Sequence, residues 1–251
     1  MPEVLWNRMT APALWKRAAQ DAPVLLPVGS TEQHGPHLPT GVDDFLSAEA
    51  CSRAAAIMAD HERPVVVAPS LWCGLSDHHL AFGGTFSLTL PTYHALLRDL
   101  CRSIITAGFN KILIVNGHGG NITALNAISN ELTRELSHPI AVTSYFLAGL
   151  ERTAELLEDQ PTLMHACEGE TSMIMAIAPD LVDRTRLAEA TGPHIALQSD
   201  ASHVFHASRS FKEVTSSGVA GDARAATPEK GEAILDACAQ AIAAWLLKWA
   251  Y

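Results

Sequence analysis

Lys111-Ile112-Leu113-Ile114-Val115-Asn116-Gly117-His118-Gly119-Gly120-Asn121 is the stretch whose reading decides the fold. Its aliphatic run is the clearest strand signal in the chain, and it stops abruptly in a glycine-rich turn. Helix formers follow from about Ile122 to Glu135. Strand, tight turn and helix make up the repeating unit of parallel α/β sheets. Working outward, Val24–Val28 is an apolar run with Pro27 inside it, ending at Gly29. Val65-Val66-Val67-Ala68 is a β-branched run bounded by Pro64 and Pro69, and Ile140–Phe146 reads as a fourth strand. Helices are expected at Ala11–Ala22, Phe45–Asp60, Pro91 to about Ala107, Thr171–Ala178 (amphipathic) and Pro228 to about Trp249, with a short acidic helix at Glu151–Gln160. From Leu181 to Ala226 the pattern loosens, and only weak strands are expected. No linker, repeat or low-complexity block interrupts the chain. The alternation predicts one domain, residues 1–251, with a three-layer α/β/α fold and a mostly parallel central sheet.

The bulk numbers narrow the function. At 251 residues with 48% hydrophobic and 18% charged, the chain can bury a substantial core. A formal charge of −10 argues against a nucleic-acid partner, because phosphate binding needs an excess of Lys and Arg. Met1–Asp21 is polar and lacks the apolar core of a signal peptide. No segment approaches the ~20 unbroken apolar residues of a membrane span. The five cysteines are scattered, odd in number and without a C-x-x-C pair, so reduced buried thiols in a cytoplasmic protein are expected. Twelve histidines hint at metal or proton chemistry.

Candidate chemistry gathers just past two strand ends, where ligands of open α/β sheets bind. After Val28 come Glu32, His34, His37, Asp43 and Asp44, and no Lys or Arg occurs between Arg17 and Arg53. Carboxylates and imidazoles in this density suit a divalent cation; a merely polar loop is the alternative. In Asn116–Asn121, flanking glycines would let His118 turn inward. The same turn could cradle a phosphate at a helix start, but it matches neither dinucleotide nor P-loop spacing and has no nearby Lys. Glu168 and Glu170 lie two apart at a helix start and point in different directions, so at most one faces a shared site. His165 is near enough to join them, and Ser76 and His78 are candidate substrate contacts. Cys167 reads as a buried thiol, while Ser30 and Ser172 lack a nucleophile-elbow context. His194, His203 and His206 receive no role.

Four stretches in order, P-V-G-S-T-E-Q-H-G-P-H-L-P-T-G-V-D, G-L-S-D-H-H-L-A-F-G-G-T, N-G-H-G-G-N and H-A-C-E-G-E-T-S, resemble the creatininase family. The likeness runs from about Val24 to the stretch Gly218–Gly231. It implies a binuclear metal centre with Glu32 and His118 on one ion, His34 on the other and Asp43 between them. A family glutamate would fall at Gly120, so Glu168 is expected to replace it. The resemblance also implies substrate contacts from Ser76 and His165, with Gly119 where the family has an aromatic residue beside the substrate. The tryptophan that helps close the creatininase pocket has no match near Pro161. These departures argue against creatinine itself as substrate. The implied activity is hydrolysis of a C–N bond in a small amide, with two divalent ions (zinc, manganese or iron), His165 as proton donor and Glu170 as catalytic or orienting carboxylate. Other family chemistries are formamide hydrolysis, trimming of a precursor peptide and hydrolysis of a cyclic ketone. The implied assembly is a homo-oligomer, a hexamer.

Overall fold

Val24–Val28 (β1) pairs in parallel with Val66–Val67 (β2) on one side and with Ile112–Asn116 (β3) on the other, and β3 pairs in parallel with Ile140–Ser144 (β4). The computed structural model describes residues 3–158, 160–194 and 209–251. The sheet order is therefore β2-β1-β3-β4. Its strands are apolar on both faces because both faces are covered. Val24, Leu26, Val28, Ile112 and Ile114 enter a core with helices Ala11–Ala19 (α1), Leu90–Thr106 (α3) and Ile122–Leu136 (α4). Leu25, Leu113 and Val115 enter the opposite core, formed with Val42–Asp60 (α2), Tyr145–Ala148 (α5), Glu168–Ile177 (α7) and Pro228–Trp249 (α9). Between α5 and α7 lies Leu150–Leu156 (α6). The result is the expected three-layer α/β/α fold.

Some boundaries move, and the shifts matter for the site. Helix α2 begins at Val42 rather than Phe45, so Asp43 stands in its first turn. Helix α7 begins at Glu168 rather than Thr171, and Glu168 to Met175 are all buried. Instead of the expected amphipathic pattern it is buried on every side over this stretch, because it packs against both α2 and α9. Strand β4 stops at Ser144, where α5 begins, and the acidic helix is limited to α6. The loose region holds 3-10 turns, an isolated antiparallel bridge between Thr191 and Asp222, and the short helix Phe211–Val214 (α8). His203 and His206 lie outside the described residues.

Thr227 caps α9 by accepting from the Lys230 N–H, with Pro228 in the first turn. The helix covers the core with Ile234, Leu235, Cys238, Ile242 and Leu246, while Trp245 and Trp249 stay exposed. All five cysteines are buried free thiols. Among the described residues, no helix is long and apolar enough to cross a membrane.

Candidate metal centre

The strand order reverses direction at β1, so a crevice opens between the carboxyl ends of β1 and β3. Glu32 and His34 follow β1 into that crevice, and His118 follows β3. Asp43 reaches it from the start of α2, because the backbone of this helix lies directly on both strand ends. A Cβ on Gly29 would come within 2.6 Å of the Asp44 nitrogen, and one on Gly117 within 2.3 Å of the Asp43 carbonyl. Only glycine permits that approach. The Asn116 side chain accepts from the His118 N–H (3.1 Å) and donates to the His118 carbonyl (2.7 Å). Asn121 donates to the Gly29 carbonyl (3.2 Å) and accepts from the Leu75 N–H (3.0 Å). The glycine turn is thus braced around an imidazole.

Among the described residues, the ligand atoms of Glu32, Asp43 and His118 lie within 4.8 Å of one another, as do those of His34, Asp43 and Glu170, and those of Glu32, His34 and His165. Asp43 is shared by the first two groups. Its Oδ2 is 3.1 Å from His118 Nδ1 and its Oδ1 is 3.2 Å from His34 Nε2. Glu32 Oε1 is 3.2 Å from His118 Nδ1, and Glu170 Oε2 is 3.9 Å from His34 Nε2.

Each ring is oriented by its outer nitrogen. His34 Nδ1 donates to the Glu32 carbonyl (3.1 Å), His118 Nε2 to the Leu75 carbonyl (3.1 Å) and His165 Nε2 to the Gln33 carbonyl (2.8 Å). A carbonyl only accepts, so in the neutral rings His34 Nε2, His118 Nδ1 and His165 Nδ1 present lone pairs to the carboxylates. Both Glu32 oxygens, His34 Nε2 and Asp43 Oδ2 are buried without a hydrogen-bond partner. Lone pairs facing lone pairs in a dry pocket are unfavourable unless a proton or a cation lies between them. The donor set and its outer-nitrogen hydrogen bonds therefore fit divalent cations.

Protonation follows the same electrostatics. Burial alone would depress His34, but Asp43, Glu170 and Glu32 outweigh it and lift its pKa to about 9. Burial likewise opposes the charged His118, yet Glu32 and Asp43 raise it well above the ordinary value. Burial pushes Glu170 up to about 8, with Asp43 and Glu32 adding to the rise against His34. Burial, helped by His34 and His79, holds His165 well below its ordinary value. Bound cations would displace the protons that His34 and His118 otherwise attract.

Glu168, expected to replace the ligand at position 120, is in none of these clustered groups among the described residues. Successive helical residues are rotated about 100°, so Glu168 and Glu170 diverge by about 200°. Glu168 turns to Lys230 Nζ on α9 (2.7 Å) and accepts from the Glu158 N–H (3.1 Å). Glu170 occupies the cluster instead, accepting from the Ala166 N–H (2.5 Å), where Ala166 has φ +53°. Position 120 has no room for a side chain: a Cβ there would be 2.4 Å from His118 Nε2 and 2.6 Å from the Leu75 carbonyl.

Of the expected substrate contacts, Ser76 is fully buried, hydrogen-bonded to Ser30 (2.5 Å) and 3.2 Å from His118 Nε2. It stands behind His118 rather than at an opening. His78 and Gly119 are half-buried, and the His78 ring stacks on His118 (centroids 5.5 Å, 19°). Residues that carried no sequence-level role also enter the site: Gln33, His79, the two asparagines of the glycine turn, and Phe211, whose ring lies 4.5 Å from His79 and 4.9 Å from His165. The paired asparagines closing N-G-H-G-G-N were the one visible signal. His37 ties the loop to α7 through Thr171 Oγ1 (2.7 Å).

A parallel α/β sheet with carboxylates and imidazoles converging at its switch point defines a class of hydrolases, and comparison identifies the family. The creatinine amidohydrolase (creatininase) family profile matches residues 7–246, so the chain belongs to the creatininase family, whose members hydrolyse C–N bonds. It is 33% identical to a mycofactocin precursor peptide peptidase of Mycolicibacterium smegmatis over 228 residues, covering 88% of this chain and 85% of that one. It is 28% identical to the creatinine amidohydrolase of Pseudomonas putida over 258 residues, covering 96% and 93%. A crystal structure of creatininase superposes with a TM-score of 0.83 at 27% identity, covering 99% and 98%. Similar creatininase structures include manganese and zinc–zinc forms.

Proposed function

We propose that the protein is a binuclear metal-dependent amidohydrolase that cleaves a C–N bond in a small amide, cyclic or open. The observation that carries this reading is Asp43, whose two oxygens face two imidazole lone pairs at 3.2 and 3.1 Å. In this reading Glu32, Asp43 and His118 hold one cation, and His34, Asp43 and Glu170 hold the other. The mixed nitrogen and oxygen set suits zinc, manganese or iron(II). When bound, such a pair lowers the pKa of an adjacent water and polarises a carbonyl. The chain's own residues do the rest. His165, fixed through Nε2, keeps Nδ1 open to the pocket, where it takes a proton and returns it to the leaving nitrogen. His78 and Gly119 contact the substrate from the half-buried side, and Ser76 holds His118 in place.

Cleavage of a peptide bond in a precursor peptide is a second reading, favoured by the 33% identity to the M. smegmatis peptidase and by exposed Trp72, Leu80 and Phe86 on the segments flanking His78 and His79. The assembly carried forward is a homo-hexamer, which sedimentation velocity would test. Elemental analysis tests the site: wild type should hold about two cations per chain, the number a two-metal site requires, and Asp43→Ala fewer. A panel of small amides and short peptides, assayed with wild type and His165→Ala, tests the reaction. Turnover lost in His165→Ala with cations retained fits the proton-transfer role; unchanged turnover removes it.

A further inference from the structure

We propose that Gln33 and His79 are positioning residues that hold Glu32 ready for its cation, an inference that rests on the binuclear reading above. Both side chains are buried, at 7% and 2% exposure. Gln33 Oε1 accepts from the Gly35 N–H (3.0 Å), which fixes the orientation of the carboxamide, since the flipped amide would set two N–H groups against each other. Its Nε2 then has two hydrogens to place. The Gly218 carbonyl at 3.1 Å takes one, and His79 Nδ1 at 2.8 Å takes the other. His165 Nε2 also lies 3.0 Å from this nitrogen, but its hydrogen goes to the Gln33 main-chain carbonyl at 2.8 Å. With Nδ1 accepting, the hydrogen of neutral His79 sits on Nε2, which faces Glu32 Oε1 at 3.4 Å.

One residue therefore orients two imidazoles in opposite senses toward the same carboxylate. His79 turns its N–H side toward Glu32 at 3.4 Å, a charge–dipole contact outside hydrogen-bond geometry, while His165 turns a lone pair to it at 3.6 Å. A neutral N–H steadies a carboxylate without cancelling its charge, which a lysine or arginine would do; the charge stays available for a cation. Two further features hold the relay closed. Gly218 has φ +80°, and a Cβ there would lie 2.1 Å from Gln33 Oε1, so only glycine lets this loop reach the amide. Phe211 packs on His79 from the other side.

The test uses metal-free protein and zinc, with two readouts that do not require turnover. Long-range proton–nitrogen NMR reads the His79 tautomer, and competition with a chromophoric chelator reads zinc affinity. Gln33→Glu cannot donate to Nδ1 and turns a bare Nε2 toward Glu32. One of the two zinc equivalents should then weaken by about 10–100-fold, the range typical of groups that orient a metal ligand. His79→Phe should show the same loss, and His79→Gln, whose amide can still donate, should recover most of it. Unchanged zinc affinity in folded Gln33→Glu and His79→Phe overturns the inference while leaving the two-cation reading standing. A wild-type protein that takes up no zinc overturns both. If Gln33→Glu does not fold, the contrast between His79→Phe and His79→Gln decides the matter by itself.

Discussion

Among the described residues, two regions offer histidine and carboxylates within reach of a cation, and they differ in exposure and in the partners already present. On the outside, His94 of α3 faces Glu131 and Glu135 of α4. The Glu131 and Glu135 side chains are 54% and 41% exposed, and Arg98 already meets Glu135 at 2.8 Å. Water and an arginine satisfy that group. In the crevice, Glu32, His34, Asp43 and His118 have side chains no more than 3% exposed, and buried lone pairs lack hydrogens. The residue types match, yet the dry, unpartnered lone pairs of the crevice favour it over the exposed cluster as the place for a cation.

The sharpest way to break this comparison is Asp43→Ala. Removing the shared carboxylate should lower turnover by at least about 10²–10³-fold, the loss typical of a single charge-stabilising group, and reduce bound cations below the wild-type number. Glu170→Gln should remove one cation and spare the other. If Glu131→Ala instead diminishes cation binding, the crevice is not the trap.

Chelation should produce the next largest effect. A cation present at 100 times its Kd stabilises the folded state by about 2.7 kcal/mol. For a chain of this size, each kcal/mol moves Tm by roughly 2–4 °C. Stripping two such cations from the wild type should thus lower Tm by roughly 10–20 °C in a calorimetric scan. The same treatment of Asp43→Ala should change it far less, and equal shifts in both would locate the effect outside the crevice.

Glu168→Gln tests a third contrast, between two glutamates on one helix. Glu168 is fully buried and joined to Lys230 at 2.7 Å, so its neutral analogue should cost about 1–3 kcal/mol in urea unfolding. Cation content should stay at the wild-type level. Loss of a cation from Glu168→Gln would return the ligand role to that residue.

This contrast also marks where the sequence stops being readable. The strands and the donors Glu32, His34 and His118 could be read because each of these side chains stands within six residues of a strand end, where local pattern and spacing carry the information. The choice between Glu168 and Glu170 depends on where α7 begins and which side meets α2. A helix buried on all sides has no polar face to show its phase. Gln33 and His79 were harder still, because their partners lie 46 to 185 residues away and no local pattern encodes them. Phe211 comes from the loose region, where only tertiary packing gives it a place.

The smallest expected effect completes the comparison between clusters. Glu131→Ala removes a half-exposed carboxylate that lies 3.8 Å from His94. Exposed pairs of this kind contribute about 0–1 kcal/mol, because water screens them and ordering two long side chains opposes the attraction. Urea unfolding should move by less than about 0.5 kcal/mol, with turnover and cation content unaltered. An exposed cluster that did bind a cation would instead lose stability in the presence of zinc and not in its absence. Measuring Glu131→Ala with and without zinc therefore asks whether geometry alone suffices to hold a cation. The dryness of the crevice says that it does not, since a cation at the surface must trade a full hydration shell for ligands that water already satisfies.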